Sequence, residues 1–122
     1  MKYKILLIFF ATLFTLSSCK NEDITCIMTI FTPSLAEDML VFWEHQAIEV
    51  SVEASTTKGS IMQVEIIVDE EEVIESALVR PYNFTVPPNS MEAGLHSLSA
   101  VVYTSSGNRA VAAQYIKIQK AK

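Results

Sequence analysis

The run Ala47-Ile-Glu-Val-Ser-Val-Glu-Ala54 constrains this chain more than any other stretch. Ile48, Val50, Val52 and Ala54 fall on one side, and Glu49, Ser51 and Glu53 on the other. A period of two places successive side chains on opposite faces of a strand, so one face is dry and the other wet. Met62, Val64, Ile66 and Val68 repeat the pattern, with Gln63, Glu65 and Asp69 facing outward. Tyr82, Phe84 and Val86, then Leu98, Ala100 and Val102, then Ile116 and Ile118 continue it. Turn residues separate these runs: Lys58-Gly59-Ser60, the acidic Asp69–Glu72 ahead of a short Val73–Ser76 strand, Pro87-Pro88-Asn89-Ser90, and Ser105-Ser106-Gly107-Asn108. Ala36–Phe42 reads as a loop or irregular strand after Pro33. About seven short strands in roughly 95 residues predict an all-β antiparallel sandwich. With 122 residues there is room for one such core and not for two.

The first nineteen residues differ in kind. Lys2 and Lys4 precede an uncharged apolar run from Ile5 to Leu16, closed by Ser17, Ser18 and Cys19. Positive, apolar, small is the order of a secretory signal. A dozen residues as a helix span under ~20 Å, short of the ~30 Å hydrocarbon core, which argues against a permanent span. Leu16-Ser17-Ser18-Cys19 resembles the lipobox of bacterial lipoproteins. That resemblance implies a diacylglyceryl thioether on Cys19, cleavage before it, and acylation of the new amino group, so that the membrane is the first partner. Lys20-Asn21-Glu22-Asp23 resembles the short export signal of surface lipoproteins of the Bacteroidetes type. That resemblance implies an outer-membrane, surface-exposed location. Read from the residues alone, the same four form a solvated tether, and both readings stand. The expected division is a signal peptide over 1–18, a lipidated cysteine and polar tether over 19–26, and the sandwich over 27–122.

Charge removes one class of partner. Loss of Lys2 and Lys4 would leave seven basic residues against fourteen acidic, a formal net charge of −7. A nucleic-acid partner needs basic surface to displace counterions, and this chain lacks it. With Cys19 lipidated, Cys26 has no intramolecular disulfide partner and reads as a small buried hydrophobe at a strand start rather than a reactive thiol.

Several segments together resemble the bacterial immunoglobulin-like domains of secreted and surface proteins. They are Ile30-x-x-Pro33, the Ile48–Ala54 and Ile61–Asp69 runs, Arg80-Pro-Tyr-Asn-Phe-Thr85, Ala93-Gly94-x-His96-x-Leu98-x-Ala100, Gly107-Asn108, and Ile116-x-Ile118. The likeness spans about residues 27–119 and implies an Ig-like sandwich. Glu70 stands where such domains usually place a glycine, and the glycine often found before the second strand is missing near Glu44-His45.

Few residues speak for chemistry. Trp43 and His45, in Phe42-Trp43-Glu44-His45, could line a sugar site, since an indole face stacks on apolar sugar faces; the competing reading is that Phe42 or Trp43 caps the end of the sandwich. His96 reads as a hydrogen-bonded structural group tying its strand to the preceding corner. The acids Asp69 to Glu72 alternate in direction and lack an Asp-x-Asp-x-Asp-Gly spacing, so they read as a solvated turn and no metal is assigned. Asn83-Phe84-Thr85 spells a glycosylation acceptor but sits in a strand and is uninformative. No nucleophile motif, paired cysteines or glycine-rich phosphate loop occurs, and neither catalytic residues nor a cofactor are expected. The expected function is a lipid-anchored binding, adhesion or assembly module meeting a surface protein. The alternative is a carbohydrate-binding accessory lipoprotein using Trp43 and nearby aromatics.

Overall fold

The computed structural model describes residues 15–20, as backbone, and residues 23–120. Its described residues form strands and connecting turns, with no helix. In chain order the strands are β1 (Thr15–Lys20), β2 (Ile24–Ile30), β3 (Val41–Trp43), β4 (Ile48–Thr56) and β5 (Ile61–Val68). They continue with β6 (Glu72–Ala77), β7 (Tyr82–Val86), β8 (Gly94–Thr104) and β9 (Arg109–Gln119). One sheet has the order β1-β2-β4-β7 and the other β3-β9-β8-β5-β6. Every pairing is antiparallel except that of β3 with β9, which is parallel.

The alternation read from sequence is what packs the two sheets together. Ile48, Val50, Val52 and Ala54 of β4 are buried, while Glu49 and Glu53 are exposed. Val64, Ile66 and Val68 meet them from the opposite sheet, joined by Leu98, Ala100, Val102, Ile116 and Ile118 in one core cluster. Each large apolar side chain removed from water stabilises the fold by about 1.5–3 kcal/mol. Met62 departs from the pattern. Expected on the buried face, it is 55 % exposed. The pairing of β5 with β8 shifts register between Ile61 and Gln63, and an extra residue in a ladder turns the next side chain over.

The module begins earlier than the expected boundary at residue 27. Ile24 and Cys26 are buried, and Asp23 is tied down rather than part of a free tether. Its Oδ1 lies 3.3 Å from the Thr57 hydroxyl, its Oδ2 3.8 Å from Lys58 Nζ, and Asn108 Nδ2 donates to Oδ2 at 3.4 Å. Four polar residues in a row hide this, because the partners lie 34 and 85 positions away. Cys26 is fully buried, as a small apolar group should be, but it is disulfide-bonded and not a free thiol. The sequence holds one other cysteine, Cys19, and β1 sets that position opposite Cys26 in the ladder. The expectation that Cys26 lacks a disulfide partner is conditional on lipidation of Cys19; in the chain with its leader attached and no lipid, the ladder places position 19 opposite Cys26.

The Ala36–Phe42 segment closes in β3, a three-residue strand beside β9. Ser34 organises the loop before it. Its hydroxyl donates to the Met39 carbonyl at 3.0 Å and accepts from the amides of Val41, at 2.8 Å, and Ala36, at 3.2 Å. Such side-chain bonds satisfy backbone groups that no ladder reaches. The β5–β6 hairpin turns at Asp69 and Glu70, both with positive φ (54° and 61°). That is the mirror-image turn matching the twist of paired strands, in which glycine is favoured at the second position. Glu70 takes the left-handed conformation without being glycine, at a steric cost of about 1 kcal/mol.

Candidate functional site

Trp43 and His45 flank a tight turn at one end of the sandwich. The Gln46 amide donates to the Trp43 carbonyl at 3.0 Å, and its side-chain Oε1 accepts from the Trp43 amide at 3.1 Å. The Glu44 amide donates to Gln119 at the end of β9, and the Glu44 carbonyl accepts from the amide of Asn89. The turn is thereby clamped between β9 and the Pro87–Ser90 corner. Trp43 is half-buried and His45 exposed, with ring centroids 6.1 Å apart and planes inclined by 22°. This near-parallel pair is an aromatic surface, but at 6.1 Å the two rings are offset rather than face to face, and half of the indole is already taken up by the protein. Phe42, one residue earlier, turns inward and is completely buried, so capping the core falls to Phe42.

Of the N-terminal site residues, Cys19 and Lys20 lie in β1, with backbone partners Cys26 and Thr25. Asn21 and Glu22 lie outside the described residues. Asp23 makes the contacts given above.

His96 is half-buried between two acceptors. Nδ1 lies 2.7 Å from Asp69 Oδ2, and Nε2 lies 2.6 Å from the Glu92 carbonyl. Both neighbours accept, so both ring nitrogens must donate, which requires the protonated imidazolium. The second Asp69 oxygen accepts from the Ser97 amide at 3.0 Å. His96 therefore ties the start of β8 to the corner before it and to the β5–β6 hairpin. The Asp69 carboxylate is spent on that tie.

Partial burial alone pushes the His96 pKa down. The bonds to Asp69 and to the Glu92 carbonyl, with the charges of both acids, outweigh it and raise the pKa above 6.5. Partial burial likewise pushes Asp69 up, but the bonds from His96 and the Ser97 amide and the imidazolium charge bring it below 3.8. A raised histidine stabilises fully below its unfolded pKa and loses that contribution as pH rises through the folded one. A lowered aspartate stabilises above its unfolded pKa and loses it as pH falls through the folded one. The tie is thus strongest between 3.8 and 6.5. The melting temperature is expected to fall as pH rises above 6.5 and through the raised His96 pKa, and His96→Gln should flatten that slope. An unchanged slope in the variant would assign the effect elsewhere.

One feature escapes the sequence reading. A shallow cleft of about 470 Å³ lies on the outer face of the four-stranded sheet, between Thr25, Ser51, Glu53, Ser55, Arg80 and Asn83. Arg80 Nη2 donates to the Ala54 carbonyl at 2.8 Å, which fixes the guanidinium at the rim. In the sequence Arg80-Pro81 reads only as part of the Arg80–Thr85 segment that carries the Ig-like likeness, since nothing local shows that the arginine reaches back to β4. Among the described residues no group of three His, Cys, Asp or Glu side chains converges to hold a metal ion.

No curated protein matches the chain. Among solved structures, it is similar to the fibronectin(III)-like modules of CbhA from Clostridium thermocellum, at 22 % identity and a TM-score of 0.61. The match covers 78 % of this chain and 99 % of that one, and at this identity it bears on the fold alone. Ig-like and fibronectin(III)-like domains are typically non-catalytic modules. The bacterial Ig domain family matches residues 29–100, more than half of the chain and every strand from β3 to β7, and the chain belongs to that family.

Proposed function

We propose that the protein is a lipid-anchored binding and assembly module, held at the outer membrane by Cys19 and working without catalysis. The observation that carries this reading is the join between two parts. Leu16-Ser17-Ser18-Cys19 ends the apolar leader, and the Ig-like module starts within five residues of that cysteine. A domain joined so closely to an acylated residue works at a surface. Several acyl chains, at about 0.8 kcal/mol per buried methylene, make such an anchor effectively permanent. The disulfide at Cys26 then belongs to the chain before acylation, since a chain with two cysteines cannot carry both that bond and a thioether on Cys19. Surface exposure rests on Lys20-Asn21-Glu22-Asp23 and is the finer part of the proposal. The alternative, carbohydrate binding at Trp43 and His45, has the near-parallel ring pair in its favour and the half-burial of Trp43 against it.

Palmitate labelling of whole cells tests the anchor. The parent chain is expected to incorporate label and to shorten by its leader, and Cys19→Ala to do neither. Full labelling of Cys19→Ala would refute the anchor at this residue.

A further inference from the structure

The four sheet edges of this sandwich are not equally protected. Three carry devices that discourage pairing with another strand. β7 lies between Pro81 and Pro87-Pro88, and the Glu75 carboxylate accepts from the amide of Thr85 on it at 3.2 Å. β6 carries Glu72 and Glu75, and its ladder to β5 shifts register at Ile66/Ile67. β3 is three residues long. The fourth edge is β1, and Thr15 to Ser18 precede the cleavage point proposed above. Their removal uncovers β2 opposite Ile27, Met28, Thr29 and Ile30. A second copy pairing along the whole of β2 also needs Cys19 and Lys20 to leave Cys26 and Thr25, as the lipid anchor proposed above would draw them toward the membrane.

The uncovered strand reads Ile24-Thr-Cys-Ile-Met-Thr-Ile30, with no charge, proline or glycine, and its ladder to β4 is unbroken. Nothing in it opposes addition of a further strand. It is also self-complementary. Paired antiparallel with itself about Ile27, outward Thr25 meets Thr29 of the other copy and Ile27 meets Ile27. On the inner face Ile24 meets Ile30 and Cys26 meets Met28. Apolar pairs and threonine pairs are favourable across strands, and no like charges face one another.

We propose that, once the leader is removed, β2 is the site of self-association, joining two copies edge to edge into one continuous sheet of six strands. This rests on cleavage at Cys19. The two-fold arrangement closes on itself, so it gives dimers and not filaments. Anchoring in a common membrane raises the effective concentration of the second copy, which suits a short interface.

The test uses the full-length chain expressed with its leader and a photo-crosslinking amino acid at position 27, with position 83 on β7 as comparison. Light is expected to give an adduct of twice the mass of the processed chain from position 27 and none from position 83. With the probe at position 25, Ile27→Lys should abolish the adduct, because two lysines would face each other. A co-expressed Ile27→Glu copy should restore it. Ile27 is exposed, so these changes leave the core intact. A processed chain giving no adduct overturns the pairing, and an adduct of any other mass overturns the choice of a second copy. A chain that keeps its leader mass overturns the cleavage and the pairing together.

Discussion

Ile116→Lys is expected to leave no folded protein at room temperature, while the same change at the preceding residue, Tyr115→Lys, should be nearly silent. Both positions lie in β9, one bond apart in register, paired with His96 and Ser97 of β8. Ile116 is fully buried in the shared core, and Tyr115 is 71 % exposed. A lysine at 116 must strand an unpaired charge between the sheets or force the strand out of register. Burying a charge without a partner costs several kcal/mol even after relaxation, against a total stability of about 5–15 kcal/mol. An exposed substitution away from special contacts stays within about 0.5 kcal/mol. Urea unfolding followed by near-UV circular dichroism separates the two outcomes. Equal stability of both variants would show the two faces of β9 to be misassigned.

Phe42→Ala is the second large effect, with a loss of about 3–5 kcal/mol expected from removed apolar surface and the cavity left behind. For a domain of this size that lowers the melting temperature by roughly 15 °C or more. The site has little room to collapse. Phe42 lies opposite Ile118 on the parallel β3–β9 pair, and the turn after it is fixed by Gln46 and by the bond from Glu44 to Gln119. Trp43→Ala removes a larger ring but should cost less, since that ring is half-buried. A Trp43→Ala variant less stable than Phe42→Ala in the urea midpoint would reverse the assignment of which ring closes the core.

These two residues also mark how far the sequence could be read. Ile116 was legible because strand periodicity is local: a buried face needs only residues two apart. The same holds for Ile48 to Ala54 and for Tyr82, Phe84 and Val86, all of which pack as the alternation requires. Phe42 was ambiguous because three residues are too short for a period. What holds β3 is Ser34 and β9, neither of them adjacent in sequence. Met62 failed for a related reason, since a register shift depends on the partner strand and leaves no mark in a single run. Asp23 and Arg80 were opaque because their partners, Asn108 and Ala54, are brought near only by the fold. The structural role of His96 was legible in outline, but its ligation by Asp69 needed the hairpin turn at Asp69 and Glu70.

The direction of the strands bears on how the module would behave under load. Asp23 enters beside Asn108, where β9 begins, and β9 ends at Gln119 beside the Glu44 turn, so the chain comes in at one end of the sandwich and leaves at the other. Were the first end held at a membrane, as proposed above, tension toward anything gripping the second would run along the strands, not across them. β9 is then pulled against its antiparallel neighbour β8, and β2 against β4, with ladder hydrogen bonds lying perpendicular to the force. Bonds so arranged share a shearing load and must yield together, whereas a hairpin peeled from its open end gives them up one at a time. A pull along this axis should therefore meet its highest resistance before either sheet has lost a strand.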